Sequence, residues 1–173
     1  MGSSNWRYAV RIGLLTGVVV LLTSVVGMVE AFDERDLIVG ILSLGQVLLF
    51  IHALYAGYSA VGKDEGAGRS PATALLRGLV AGLSVALPVI VLIFVASGWD
   101  NIREYFVNIS PKMVDILTFG RGAVAGSLLL AAVMAGLGLL GAAIHLVPAR
   151  VRRPILTALL VTLIFSLFSD VPL

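Results

Sequence analysis

The residues able to do chemistry are few, and most lie where the chain is otherwise apolar. His52 and His145 are the two histidines. Each sits inside a long uncharged stretch, and Gln46 stands about one and a half turns before His52. A histidine in that setting can serve as an axial ligand to haem or to a pigment. It can equally stay neutral and hydrogen-bond between helices, the ordinary role of polar groups in a membrane bundle, and the residues favour this second role. His52 is 11 residues from Lys63 and His145 is 5 from Arg150. By helical rise those intervals are roughly 16 Å and 8 Å, so the two rings are not level and do not share one haem. A single pigment or haem on His52 remains the one cofactor-binding alternative, and no other cofactor is expected. There is no cysteine, which removes thiol catalysis, disulfides and cysteine metal sites. No acid falls in the middle of an apolar stretch to relay protons. Neither a phosphate-binding glycine loop nor an HExxH motif is present, so no catalytic residue and no metal ligand set is expected.

The remaining polar signals have bland explanations. Arg77 and Arg121 stand at helix starts, where their side chains can reach headgroups. Arg150, Arg152 and Arg153 form a basic cluster suited to fixing topology or touching anionic lipid. Asn108-Ile109-Ser110 matches a glycosylation sequon but is followed by Pro111, and the match carries little weight.

The elements that position these residues follow from composition. Of 173 residues, 59% are apolar and 13% charged, and mean hydropathy is +1.05. A domain of this size in water does not hide that much apolar surface. An ordinary soluble enzyme, a disordered tail and a nucleic-acid-binding domain are excluded. Stretches free of Asp, Glu, Lys and Arg run over 12–29, 37–62, 78–99, 122–149 and 154–169. Crossing ~30 Å of hydrocarbon takes about 20 residues of helix. The runs are continuous rather than alternating, which favours helices over barrel strands. The expectation is an all-α polytopic membrane bundle, one transmembrane domain over 1–173. Its five helices are placed at about 9–30, 37–61, 76–98, 120–147 and 154–170, the last being short. The first, with Arg7 and Arg11 ahead of it and no clear cleavage site after it, reads as a retained signal anchor.

The loops set orientation. Arg7, Arg11, Lys63, Arg69, Arg77, Arg150, Arg152 and Arg153 fall on one side, and Arg35, Arg103, Lys112 and Arg121 on the other. The positive-inside bias then places the N-terminus in the cytoplasm and the C-terminus outside, in the cytoplasmic membrane of a bacterium. The loop from Lys63 to Ala74 reads as a mobile cytoplasmic turn. The segment 99–115, with Trp99, Tyr105 and Phe106, reads as an interfacial helix broken at Pro111.

Small residues recur four apart at Gly13/Gly17, Ala53/Gly57, Gly78/Gly82, Gly122/Gly126 and Ala132/Gly136. That spacing lets helix backbones approach closely, within the chain or against other membrane subunits. Pro88 can kink the third helix.

Three phrases carry a family resemblance: GMVEAFDERDLIVGILSLGQVLL, FVNISPKMVDILTFGRGAVAG and GAAIHLVPARVRRPILTALLV. Over roughly Arg11 to Asp170 the chain resembles the N-terminal membrane extension of Chloroflexota-type permeases of branched-chain amino acid ABC transporters. The resemblance implies a non-catalytic membrane component of an ATP-driven importer of Leu, Ile or Val, with an ATPase subunit as partner. The permease core that follows such extensions is not in this sequence, so no substrate-binding residue carries over. The competing reading is an accessory subunit packed in a larger respiratory or photosynthetic membrane complex.

Overall fold

The structure is a computed structural model and describes residues 3–38, 42–62, 70–99 and 101–168. It is helical apart from one short hairpin. The elements in chain order are α1 (Ser3–Val25), α2 (Met28–Ala31), β1 (Asp36–Ile38), β2 (Leu42–Ser43), α3 (Leu44–Gly62), α4 (Pro71–Gly98), α5 (Ile102–Tyr105), α6 (Pro111–Thr118), α7 (Ala123–Leu146) and α8 (Ala149–Phe168). Among the described residues, four helices are long and apolar enough to cross a membrane: α1 from Asn5, α3, α4 and α7. A fifth crossing through α8 is left to the proposals below. The orientation argument drew in part on Lys63 and Arg69, which lie outside the described residues, as does most of the 63–74 loop.

Local chemistry shifts several helix ends from the uncharged runs. α1 starts at Ser3 and carries Arg7 and Arg11 on the helix itself. It stops at Val25, because Gly27 takes a left-handed φ of 88° and the chain turns into α2. In the run beginning at Leu37, the described residues are not helical until Leu44. Asp36 pairs antiparallel with Ser43 and Ile38 with Leu42, and α3 then opens on a reciprocal cap. The Ser43 hydroxyl accepts from the Gln46 N–H at 3.2 Å, and the Gln46 side-chain oxygen accepts from the Ser43 N–H at 3.2 Å. This S-x-x-Q pairing satisfies two donors that a helix start would otherwise leave open. α4 begins at Pro71, not 76, with Ser70 as N-cap and proline in the first turn, where its missing N–H costs no bond. Pro111 likewise starts α6 rather than breaking a helix, and Ser110 caps it by accepting from Met113 N–H at 2.9 Å.

In the bundle α4 lies between α1 and α7, and α3 packs against all three. Lipid tails are as apolar as leucine, so burying leucine supplies little reason for helices to associate; close van der Waals approach supplies it instead. The small-residue faces settle how. Gly13 and Gly17 of α1 sit on α4 backbone at Ala81 and Val85. Gly78 and Gly82 of α4 sit on α7 backbone at Gly138 and Met134. Gly57 of α3 sits on Gly138 from the other side, and Gly141 of α7 sits on Leu54 and Tyr58 of α3. Gly138 is thus where three helices meet backbone to backbone. Of the pairs read from sequence, Ala132 and Gly136 do not join this contact. Both are exposed, and nothing lies within 4 Å of a side chain built at Gly136. Gly126 packs on Thr118 of α6, while Gly122 supplies a φ of 73° ahead of α7.

Thr16, Ser24, Ser84 and Thr118 are buried and return their hydroxyl hydrogens to their own helices, to carbonyls three or four residues back. Each polar group is thereby satisfied without a partner helix, so these residues fill space without dictating pairing.

Two substitutions, two residues apart, test the packing. Gly138→Ala places a methyl against the backbone of Gly78 and Gly82, which cannot swing aside, and should destabilise the bundle by about 2 kcal/mol. Gly136→Ala enters open space and should change stability by less than about 0.5 kcal/mol. Reversible unfolding in mixed micelles distinguishes them, and equal losses would contradict this packing.

Candidate functional site

Polar side chains gather at the two ends of the bundle. At one end α2, the hairpin, α5 and α6 cover the helix termini. Glu30 accepts from the Ser110 hydroxyl at 2.5 Å, so Ser110 links α2 to α6 while capping α6. Asp33 accepts from the Ser43 hydroxyl at 2.9 Å, joining the α2 turn to the start of α3. The Asn108 amide donates to Val26 O at 3.0 Å, across the turn made by Gly27. Asn108 and Ser110, the sequon residues, are therefore both committed to holding α6 against the α1–α2 joint. Lys112 donates to Glu34 at 3.0 Å. The Glu34 hydrogen bond, with help from the charges of Glu34, Asp33 and Glu30, outweighs the opposing desolvation and holds the ammonium above its ordinary pKa. A raised pKa means that this pair helps the fold below the ordinary lysine range and is lost as pH rises past it. Both partners are exposed, so the pair contributes little.

α6 ends with Phe119 in a left-handed conformation, φ 55°, a position that usually takes glycine. Its ring stacks on Phe50 of α3, centroids 6.4 Å apart, which accounts for an aromatic there. Trp99 and Tyr105 pair at 5.8 Å and are both exposed, as are Phe106 and Val107.

At the opposite end His145 of α7 meets the edge of Tyr58 of α3, centroids 4.7 Å apart, and packs by Gly62. Arg152 of α8 lies 5.6 Å over the Tyr58 ring and donates to the His145 carbonyl at 3.0 Å. That bond satisfies one of the carbonyls left open at the end of α7 and sets a cation at its negative pole. Arg77 is buried on α4 and stands 5.9 Å from the Trp6 ring of α1. Sequence reasoning read Arg77 as reaching out to headgroups; its burial against Trp6 corrects that reading. Arg152 belongs to the basic cluster read as fixing topology or touching anionic lipid, and it is the member that turns inward. The roles of Trp6, Tyr58, Ser110 and Glu30 were not anticipated. Only the S-P pair before α6 was a usable signal, since Ser then Pro marks a capped helix start.

The structure keeps the two histidines apart. His145 packs beside Gly62, ten residues along α3 from His52, about 15 Å by helical rise. His52 is half-buried, and its Nδ1 lies 2.6 Å from Leu48 O, one turn back on α3. A carbonyl oxygen only accepts, so Nδ1 is the donor in this contact. Gln46, grouped with His52 by sequence, belongs to the cap of α3. Ser127 of α7 is 5% exposed, and its hydroxyl finds no hydrogen-bond partner among the described residues.

Comparisons with protein families, with curated proteins and with solved structures find no match to this chain.

The Ser110 junction yields a direct expectation. Ser110→Ala removes the cap of α6 and the bond to Glu30 together, and should cost about 1–2 kcal/mol locally. Amide exchange in α6 and in Met28–Ala31 should accelerate together while α7 stays protected. Exchange unchanged in α2 would show that the Glu30 bond does not couple the two segments.

Proposed function

We propose that the chain is a non-catalytic, multi-pass component of a bacterial cytoplasmic membrane that packs laterally against a larger transport assembly. The observation that carries this reading is α8. Among the described residues it shares no extensive contact with the four-helix bundle. Beyond its arginine-bearing first turns, its described side chains are exposed and mostly apolar, Leu160, Val161 and Ile164 among them, with Thr157 and Thr162 the polar members. A helix of that kind suits lipid and a neighbouring subunit better than water. On this reading α8 is a fifth crossing, short and helped by its neighbours. The resemblance to the membrane extension of branched-chain amino acid permeases supplies the assembly: an ATP-driven importer with an ATPase subunit. The chain then supports the permease rather than binding leucine itself.

His52 favours a second reading, an accessory subunit of a respiratory or photosynthetic complex. A ring fixed through Nδ1 presents Nε2 in the manner of an axial ligand.

Purification from native membranes in mild detergent separates the two. Co-purifying ATPase and solute-binding proteins support the transport reading. Cytochrome or pigment absorbance that His52→Leu abolishes supports the other. A chain recovered alone, or one that binds radiolabelled leucine by itself, overturns the scaffold role. The five-crossing topology has its own test: a reporter fused after Leu173 should be active outside the cytoplasm. A cytosolic reporter would return α8 to the cytoplasmic surface and leave four crossings.

A further inference from the structure

The outward face of α1 holds an open groove of about 490 Å³, lined by Trp6, Arg7, Val10, Arg11, Leu14 and Leu15. All six residues are exposed; Arg7, Arg11, Leu14 and Leu15 point away from the face that Ala9, Gly13, Thr16, Gly17 and Val20 bury, and Trp6 and Val10 stand at the edge of that face, toward α4. Their order along the helix is chemical. Arg7 and Arg11 stand one turn apart at the polar end, Val10 lies between them, and Leu14 and Leu15 continue toward the middle. From Arg7 to Leu15 the helix rises about 12 Å, enough to run from a headgroup into the acyl region. Neither arginine forms an ion pair with a described residue, and α1 has no acid of its own. Trp6 closes the polar end, with Arg77 behind it at 5.9 Å from the ring centroid.

We propose that this groove is a binding site for one anionic phospholipid, its phosphate between Arg7 and Arg11 and one acyl chain along Val10, Leu14 and Leu15. Guanidinium forks match phosphate oxygens in pairs, and residues four apart share a helix face, so one headgroup can engage both. Trp6 sits at the depth where an indole ring lies best, between headgroup and tail. Arg77 is a positioning residue that holds the indole in place. The site rests on the membrane placement proposed above. That placement would fall if the chain stayed dissolved without detergent, a failure distinct from any difference between lipids.

Native mass spectrometry of the full chain, delipidated in detergent and titrated with phosphatidylglycerol or phosphatidylcholine, tests it. One phosphatidylglycerol should bind preferentially. Arg7→Gln or Arg11→Gln should each weaken it about fivefold, and the double variant about twentyfold, towards the level of phosphatidylcholine. Arg150→Gln/Arg153→Gln removes the same charge from the same end and should leave binding nearly unchanged. Leu14→Trp, which fills the groove and keeps both arginines, should weaken long-chain lipid while sparing a short-chain analogue. Equal affinity for the two lipids, an equal loss in the Arg150/Arg153 variant, or an unaffected Leu14→Trp would each overturn the proposal.

Discussion

Backbone against backbone is the interaction on which the rest depends. Where the surroundings are hydrocarbon, burying a leucine gains almost nothing over leaving it exposed, so helices adhere only where they can come close. Gly138 is the narrowest point of the bundle. α3 reaches it through Gly57, and α4 through Gly78 and Gly82. α1 joins on the far side of α4 through Gly13 and Gly17. These contacts leave large apolar side chains, Leu15, Leu87, Val91 and Leu128 among them, turned outward. Bulky side chains such as Leu49, Ile93, Leu130 and Met134 also fill the interior, so the glycines set where the helices come closest while large apolar groups occupy both the core and the periphery.

Polar chemistry is pushed to the ends by the same constraint. Within the bundle, hydroxyls bond back to their own helices, and His52 does the same through Nδ1. At one end Glu30, Asp33, Asn108 and Ser110 tie α2, α3 and α6 into a cover. At the other, Tyr58, His145 and Arg152 join α3, α7 and the start of α8. The first set is acidic and hydroxyl-rich, the second cationic and aromatic.

Much of this was legible in the residues before any coordinates. Four uncharged runs identified the four long apolar helices, because a helix in hydrocarbon cannot afford charge over its central turns. The same criterion misjudged the ends. It stopped short of Arg7 and Arg11, which a helix can carry where it leaves the hydrocarbon. It also ran through 37–43, where lack of charge conceals a hairpin that the Ser43/Gln46 cap terminates. Four-residue spacing found the glycines but not their partners. Gly78/Gly82 and Ala132/Gly136 look alike as text, yet only the first pair meets another backbone, because helix rotation is fixed by contacts distant in sequence. For His52, depth was readable and the contact with Leu48 was not. Trp6 with Arg77, and Tyr58 with Arg152, are long-range pairs that no local pattern announces.

The central claim is that lipid surrounds these helices and that the faces joined at the glycine contacts are withdrawn from it. A nitroxide scan along α7 in lipid vesicles addresses it most directly, since the cysteine-free chain accepts single labels cleanly. The account predicts high collision with oxygen at Leu128, Ala132 and Leu139, low collision at Leu130 and Met134, and little contact with a water-soluble nickel reagent at any of them. A nickel reagent that reaches the middle of α7, or an oxygen profile without helical period, would contradict it.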